Sequence, residues 1–495
     1  MTDPAPPAYK RKLFWVALLY FSEGLPLGVF YDIFPVYFRQ QGVNLADIGL
    51  LSLLGLAWTV KFLWAPLVDW ARRHRMWMAG ANLGMACVMA FFALNTGAVA
   101  VAGPWLWVAI GVFTFLSATN DIATDGYTIE LLDKREYGLA NGVRIGFYRV
   151  GMLFAGVVLM ISGWYGWPWA YALGAAVFAC NALMVLAAPR EQPRTRAPGT
   201  VASELRLLRD QPQWVAALAL VIGGLLWPAL APLARALDWR AVVDASATWW
   251  FKGALPVGLM LCGAALMVNA ARGPRAALMR EGPVFGAWVE LLARPGMIAI
   301  LLFILLFKLG DSSMGFMVKP FWVDSGFTNQ QIGLVSVQLG LAFSIAGGLL
   351  GGWYVDKVGI FRGLWVLGLW QALSNLGYAG AAWVVPHAAQ GGEVALAHQA
   401  MVYSASALES FTGGLGTGAF LAFLMAITSR ERATTEYAIL SSIFAFSRAV
   451  AGWAGGIGAQ EMGYAAYFLL TFWLSFPAFL LLPQVRRMLG AAETL

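Results

Sequence analysis

Apolar runs of about twenty residues alternate with short polar segments along the whole chain. Roughly 20 apolar residues in a helix cross the ~30 Å hydrocarbon core of a bilayer, and a helix satisfies its own backbone hydrogen bonds there. The pattern therefore predicts an all-α polytopic membrane protein with fourteen transmembrane helices. The predicted spans cover about 13–38, 45–64, 76–97, 104–131, 137–162, 167–188, 213–237, 249–271, 297–323, 330–354, 361–385, 398–428, 434–457 and 464–485.

These spans divide into two sets of six with a middle segment between them. Residues 1–188 form the predicted N-terminal six-helix half, and residues 297–495 form the C-terminal half. Residues 189–296 form a predicted linker that carries two extra transmembrane helices, at about 213–237 and 249–271. Because this linker begins with a polar, proline-containing stretch, we expect it to separate the two halves.

Two loops of the first half have counterparts in the second half. Residues 41–50, between the first two spans, resemble residues 325–334, and residues 65–73, after the second span, resemble residues 352–362. Such duplication is typical of transporters built from two related halves around a central site. The sequence therefore predicts a central site between the halves.

Basic residues fall mainly on one side of the predicted membrane. Of the 33 Lys and Arg residues, 23 lie on the side of the two termini, three lie on the opposite side and seven lie within spans. Positive charge in short loops marks the cytoplasmic side. We therefore expect both termini in the cytoplasm and, in a bacterial cell, a location in the inner membrane. The net charge of +7 resides in these loops and does not indicate nucleic-acid binding.

The cysteines and histidines do not indicate metal or enzyme chemistry. All three cysteines lie within apolar runs without the spacing of metal ligands, and all three histidines lie in loops or at their edges. No HExxH or Walker motif occurs, so we predict no metal site, no cofactor and no enzyme activity. Proton chemistry inside the membrane, if present, must then rest on carboxylates.

Two carboxylates lie one helical turn apart in the fourth predicted span. Asp121 and Asp125 are at positions i and i+4, hence on one helix face, and charges inside a membrane normally face a protein interior or a wet cavity. Counting outward from the hairpin between the fourth and fifth spans places Asp121 level with Arg149 and Asp125 level with Arg144 or its neighbour. We interpret these groups as a proton-sensitive latch; the alternative is a static ladder of ion pairs.

The corresponding hairpin of the second half has an arginine without an acid at the same depth. Arg448 comes level with Gly414, within a glycine-rich run. An unpaired arginine can bind a solute carboxylate or phosphate through two hydrogen bonds, although it can also bond to backbone carbonyls. The glycines superficially resemble a phosphate loop, but within an apolar span they favour close helix packing.

Glu23 and Lys308 occupy nearly equivalent positions in the first spans of the two six-helix halves, so we expect them to face a common cavity and to form a pair between the halves. Asp311 lies one turn beyond Lys308, and Tyr148 could line the same cavity. Weaker candidates, whose helix faces cannot be derived from one sequence, are Asp32, Lys61, Lys319 and Glu409.

The segment Gly352–Arg362 resembles the cytoplasmic signature of the major facilitator superfamily. This resemblance implies the major facilitator fold and a cytoplasmic gate whose acidic residue pairs with a helix end and with basic residues. A basic loop that only sets topology would explain the arginines but not the repeated aspartate. The implied gate residues are Asp69, Gly352, Asp356, Lys357, Gly359 and Arg362.

Further stretches in both halves are similar to one branch of that superfamily, the AmpG-type muropeptide permeases and the related acetyl-CoA transporters. The two extra spans depart from the AmpG pattern, in which additional spans follow the twelfth. The matching stretches are Gly24–Leu27, Lys61–Asp69, Ser117–Leu132, Tyr148–Leu153, Lys308–Asp311 and Gly413–Phe420.

The resemblance implies a secondary transporter that imports an anionic muropeptide, an N-acetylglucosaminyl-anhydromuramoyl peptide, together with protons. Other solutes open to this branch are an acetyl-CoA-like thioester and a siderophore. A membrane sensor on a transporter scaffold is a different class, but no loop is long enough for a signalling domain.

The expected partners are a proton, an anionic small molecule and the lipid bilayer, and we expect a monomer. The candidate proton-coupling residues are Asp125, Asp121, Glu23, Asp311 and Glu409, and the candidate solute ligands are Arg448, Arg149, Arg144, Lys308 and Tyr148.

Overall fold

The structure is a computed structural model of the chain. It describes residues 7–61, 73–96, 104–132, 137–190, 211–227, 238–246, 250–273, 285–389, 391–428 and 433–492, together with the single positions 64, 65, 68, 206, 209, 230, 234, 248 and 276. Among these residues the fold is helical, and the only extended pairing is a single bridge between Ser325 and Ala388.

The helices follow one another with short connections. The first group is α1 (Pro7–Gly28), a π-helical turn (Val29–Ile33), α2 (Phe34–Gln40), α3 (Leu45–Leu54), α4 (Leu56–Val60), α5 (His74–Leu94), α6 (Pro104–Leu131), α7 (Tyr137–Tyr165) and α8 (Trp167–Leu186). The middle group is α9 (Pro212–Leu226), α10 (Arg240–Ser246), a π-helical turn (Trp250–Ala254), α11 (Leu255–Arg272) and α12 (Phe285–Ala293).

The last group contains the longest helices. It is α13 (Met297–Phe307), α14 (Leu309–Asp324), α15 (Asn329–Gln331), a π-helical segment (Ile332–Leu339), α16 (Gly340–Val358), α17 (Ile360–Val384), α18 (Leu396–Ile427), α19 (Ala433–Leu474), a 3₁₀ turn (Pro477–Leu481) and α20 (Leu482–Ala492). The backbone leaves the helical conformation at Gly463, which divides α19 into two helices.

Ten helical segments of the described chain are long and apolar enough to cross a membrane, and Leu45–Val60 and Pro212–Gly224 are shorter apolar helices. Every one of the fourteen predicted spans contains a helix among the described residues. The protein is thus a multi-pass membrane protein, and the number of membrane crossings stays a prediction.

The first pair of similar loops has the same local structure in both halves. Gly42 and Gly326 adopt φ angles of +80° and +86°, which glycine tolerates because it lacks a Cβ atom. Two residues later, the side chains of Asn44 and Thr328 cap the N-termini of the next helices. This shared geometry supports the predicted internal repeat.

The described residues cluster into two compact units. The larger one comprises Met1–Arg194, Leu306–Ala422 and Ala445–Phe479, so it contains helices of both predicted halves. The smaller one comprises Thr195–Leu305, Phe423–Phe444 and Leu480–Leu495. The boundaries predicted at 188/189 and 296/297 stay predictions.

Within the smaller unit, the two extra helices pack tightly against each other. Gly224 of α9 lies against the backbone of Pro256, and Gly263 of α11 lies against the backbone of Ala217. A side chain at either glycine would prevent this approach. The Glu436 side chain, fully buried in the same unit, forms an ion pair with Arg294.

Candidate functional site

Three carboxylates converge inside the larger unit. Oxygen atoms of Glu23 on α1 and of Asp121 and Asp125 on α6 lie within 4.8 Å of one another. Lys61, at the end of α4, forms an ion pair with Asp121. On α7, Arg144 lies 2.9 Å from Asp125. We call these five residues the acid cluster.

Asp125 has two donors on the same oxygen. The Tyr20 hydroxyl donates to Asp125 Oδ1 at 2.7 Å, and the Arg144 guanidinium also contacts Oδ1 while lying 4.6 Å above the Tyr20 ring. Tyr20 was not predicted to belong to this group, although its position one turn before Glu23 was a usable signal. The Asp125–Arg144 pairing agrees with the depth count.

The predicted pairing of Asp121 with Arg149 was wrong, because Asp121 contacts Lys61. Depth along a hairpin predicts which residues are level, but not the direction in which each side chain points. Arg149 is half-buried and forms no ion pair with any residue that the structure describes.

A ring of polar side chains fixes the helices beside the acid cluster. Ser22 donates to Asn82 Oδ1 at 3.1 Å, Asn82 donates to Asn120 Oδ1 at 2.9 Å, and Asn120 donates back to Ser22 Oγ at 3.2 Å. All three are buried, where an unpaired polar group is costly. Because Ser22 precedes Glu23 and Asn120 precedes Asp121, the ring fixes how these two carboxylates face each other.

Glycines bring the fifth span close to the first. Gly24 lies against the backbone carbonyl of Tyr148, and Gly151 lies against the carbonyl of Phe21. Small residues permit such close helix contact in membranes. The contact positions Tyr148 within electrostatic range of Glu23 and Asp121, and also of Arg149 and Arg448.

Arg448 reaches the same region from the second half. Its guanidinium lies 4.0 Å above the ring of Tyr31, on the π-helical turn of the first span, and it is exposed. No carboxylate among the described residues pairs with it. Gly414, expected to face Arg448, instead packs against the backbone of Ser344, in agreement with the helix-packing interpretation of the glycine run.

Lys308 is saturated by local partners. Its ammonium group contacts Asp311 Oδ2 at 3.1 Å, the Gly413 carbonyl at 3.2 Å and Thr417 Oγ1 at 2.6 Å. The expected Glu23–Lys308 pair is therefore wrong, because each residue belongs to its own cluster. An ammonium group has three donors, so Lys308 has none left for a solute. Glu409 accepts from the Ser410 hydroxyl at 3.3 Å.

Two further ion pairs connect the halves of the larger unit. Lys319 lies 3.2 Å from Asp32 and donates to Ser336 Oγ at 2.6 Å. Arg39 contacts both carboxylate oxygens of Asp324 at 2.6 and 2.8 Å. The hydroxyl of Tyr464 donates to the same carboxylate at 2.7 Å. The two pairs have opposite polarity: the first half contributes the acid, Asp32, to one pair and the base, Arg39, to the other.

Close helix packing joins the halves near these ion pairs. A Cβ atom on Gly49 would lie 2.7 Å from Gly456 Cα, so the second and thirteenth predicted spans cross with their backbones in contact. Nearby, Ser52 donates to the Ala449 carbonyl at 2.6 Å. We refer to the end of the unit that carries Arg39, Asp324, Tyr464, Gly49 and Gly456 as the closed end.

The gate motif lies at the other end of the spans. Asp356, Lys357 and Arg362 are exposed, and within the described part of the chain none of them forms an ion pair; Lys357 lies 4.1 Å above the Trp353 ring. Gly359 ends α16 with a φ of +87°, and Gly352 has open space where a side chain would be. Asp69 lies outside the described residues. We refer to this end as the motif end.

The chain is similar to known permeases over nearly its whole length. It is 26% identical to the anhydromuropeptide permease of Escherichia coli (strain K12), covering 95% of this chain and 79% of that protein. It is 22% identical to the putative transporter AmpG 4 of Rickettsia felis, covering 96% and 97%. A scan of family models found no match.

Solved transporters share the fold. A peptide transporter of the POT family aligns with a TM-score of 0.66 at 14% identity, covering 96% of this chain and 94% of that one. A bacterial homologue of the lysosomal transporter Spinster, in an inward-facing and occupied conformation, aligns with a TM-score of 0.65 at 13% identity, covering 99% of each chain. The fold is that of the major facilitator transporters, as the sequence predicted, and the relatives are named permeases and transporters, not enzymes.

Proposed function

We propose that this homologue of AmpG-type permeases imports anionic muropeptides together with protons across a bacterial inner membrane by alternating access. The observation that carries the proposal is the position of two arginines without acidic partners among the described residues, Arg149 and Arg448, within electrostatic range of Tyr148. The acid cluster acts on the same tyrosine through Glu23 and Asp121. A solute-binding surface and a proton-binding surface thus adjoin.

The arginines suit an anionic group of the solute. A guanidinium presents planar donors that match a carboxylate in a two-point contact. Arg448 comes from the second half and Arg149 from the first, so one bound anion can contact both halves. Binding that is stronger in one arrangement of the halves shifts the equilibrium towards that arrangement.

The acid cluster supplies groups that can take up a proton. Asp125 is 34% exposed and Arg144 41% exposed in their side chains, so water reaches this part of the cluster. Protonation of a carboxylate weakens its attraction for a neighbouring cation and changes which helix contacts are favoured. The gradient of protons would then drive accumulation of the solute.

The proposal is tested with the purified full chain in liposomes and a labelled anhydromuropeptide. We expect uptake when the lumen is alkaline, and loss of accumulation on addition of an uncoupler. An excess of unlabelled acetyl-CoA or of a siderophore should not compete. No uptake by the wild type, or competition by acetyl-CoA alone, would reject the muropeptide assignment.

Arg448→Gln tests the solute contact. Losing a charge-assisted contact costs about 1.5–3 kcal/mol, which predicts a KM for uptake raised roughly tenfold to a hundredfold. Arg240→Gln in the smaller unit is the matched control, because the Arg240 side chain is 87% exposed, and it should keep the wild-type KM. An unchanged KM in Arg448→Gln would remove this residue from the site.

A further inference from the structure

We propose that Glu23 carries a single coupling proton, while Lys61 and Arg144 hold Asp121 and Asp125 in their ionised forms. This inference rests on the proposed function and assigns its proton to one residue. The depth count on the sequence, by contrast, indicated Asp121 and Asp125 as the proton-sensitive residues.

The distribution of partners singles out Glu23. Asp121 has Lys61, and Asp125 has Arg144 and the Tyr20 hydroxyl. Glu23 is 8% exposed, and its Oε2 atom is buried without a hydrogen-bond partner in the described structure. An ionised carboxylate buried in this way is strongly disfavoured, whereas a protonated one can donate a hydrogen bond to the neighbouring carboxylate.

Charge counting gives the number of protons. The cluster contains three carboxylates and two cationic side chains, so it holds one excess negative charge when all are ionised. One proton removes that excess. The charged and titratable groups that act on Glu23 come from α1, α4, α6 and α7; they are Tyr20, Lys61, Asp121, Asp125, Arg144 and Tyr148.

A proton fits this site better than a metal ion. A metal ion among the three carboxylates would face the Lys61 ammonium and the Arg144 guanidinium, both already in contact with the oxygens that would coordinate it. Repulsion between cations at such short range is strong in a medium of low dielectric constant. A proton shared between Glu23 and Asp121 needs no additional space.

The same geometry couples the proton to the solute. Gly24, next to Glu23, lies against the backbone carbonyl of Tyr148, next to Arg149, and the Arg448 guanidinium lies 4.0 Å above the ring of Tyr31 in the same first span. A solute anion at the arginines adds negative charge near Glu23 and so favours its protonated form. By linkage, protonation of Glu23 favours binding of the anion by the same factor, which is the requirement for symport.

The first test compares accumulation with exchange. In wild-type liposomes held at zero membrane potential, one proton per solute supports about a tenfold accumulation per pH unit, and two protons support about a hundredfold. We expect the tenfold value. Glu23→Gln, which mimics the protonated group, should abolish pH-driven accumulation but retain exchange of labelled for unlabelled solute, with a rate that no longer depends on pH.

The second test neutralises each ion pair as a pair. Lys61→Met with Asp121→Asn, and Arg144→Gln with Asp125→Asn, each remove one positive and one negative charge and leave Glu23 with the excess. Their rates of exchange can fall, because these residues belong to the acid cluster, but both double variants should keep a pH-driven accumulation ratio of about tenfold per pH unit, the value for one coupled proton. Accumulation by Glu23→Gln, or its loss in both double variants despite normal exchange, would overturn the assignment.

These outcomes are separable from failure of the proposed function. If wild-type protein neither accumulates nor exchanges the muropeptide, the proposed function fails. If the wild type exchanges it and accumulates it with protons while Glu23→Gln does the same, only the assignment to Glu23 fails.

Discussion

The closed end and the motif end of the larger unit differ in how their charges are used. At the closed end, Arg39 and Asp324 are joined by two short contacts and supported by Tyr464. At the motif end, Asp356 and Lys357 are exposed and form no ion pair among the described residues. One set of charges is thus committed to contacts between the halves, and the other set is available.

This difference indicates that the structure represents an arrangement in which the two halves are joined at the closed end. Among the described residues, the two halves meet with their backbones in contact at the closed end, where Gly49 lies against Gly456. Inside the spans, Arg448 is exposed and the Arg144 side chain is 41% exposed. In the proposed alternating-access cycle, one set of contacts must break as the other forms, and the closed-end contacts would then contribute to the energetic cost of leaving this arrangement.

Reversing the charge of Arg39 should have the largest effect on the closed end. Arg39→Asp places two carboxylates together where the wild type has a half-buried ion pair, with side chains 24% and 13% exposed. We expect a destabilisation of this arrangement of about 1–3 kcal/mol, reduced from a fully buried pair by solvent screening. Spin labels on cysteines at exposed positions 41 and 393 should show a longer distance by double electron–electron resonance.

The charge-swapped variant, Arg39→Asp with Asp324→Arg, is the control for this experiment. It should recover part of the wild-type distance distribution, but not all of it, since the Tyr464 hydroxyl loses its carboxylate acceptor. If the single and double variants open equally, the ion pair does not hold the closed end.

A side chain at the backbone crossing should have a smaller effect of the same sign. Gly49→Ala would place a methyl group against Gly456, and overpacking of this kind costs about 1–3 kcal/mol. The same spin labels should report partial opening. Gly380→Ala is the matched control, because its methyl group would meet only Met401 Cε at 3.7 Å. Equal behaviour of the two variants would show that the crossing can relax.

Neutralising the motif end should have the smallest effect on this arrangement. Lys357 is exposed and contacts only the Trp353 ring among the described residues. Lys357→Ala should therefore change stability by no more than about 0.5 kcal/mol, with an unchanged thermal midpoint and unchanged label distance. A large loss of stability would mean that the motif end already contributes to this arrangement.

The fold class and the local structure at several turns follow from the sequence alone. Apolar runs long enough to cross a bilayer leave the backbone few options besides helices. The local structure of the loops beginning at Gly42 and Gly326 is also encoded locally. In each loop a glycine ends one helix and a capping residue two positions later starts the next. The Asp125–Arg144 pair could be predicted as well, because residues at equal sequence distances from the hairpin of two antiparallel helices lie at equal depth.

The partners of the other charged residues depend on how the helices pack. Lys61 reaches Asp121 from a segment sixty residues away, and Lys308 turns to Gly413 and Thr417 instead of Glu23. A single sequence specifies depth along a helix but not the rotation of that helix about its axis, which depends on packing against all of its neighbours. For this reason the charged residues could be identified from the sequence, whereas packing determined that Glu23 is the carboxylate of the acid cluster without a basic partner among the described residues.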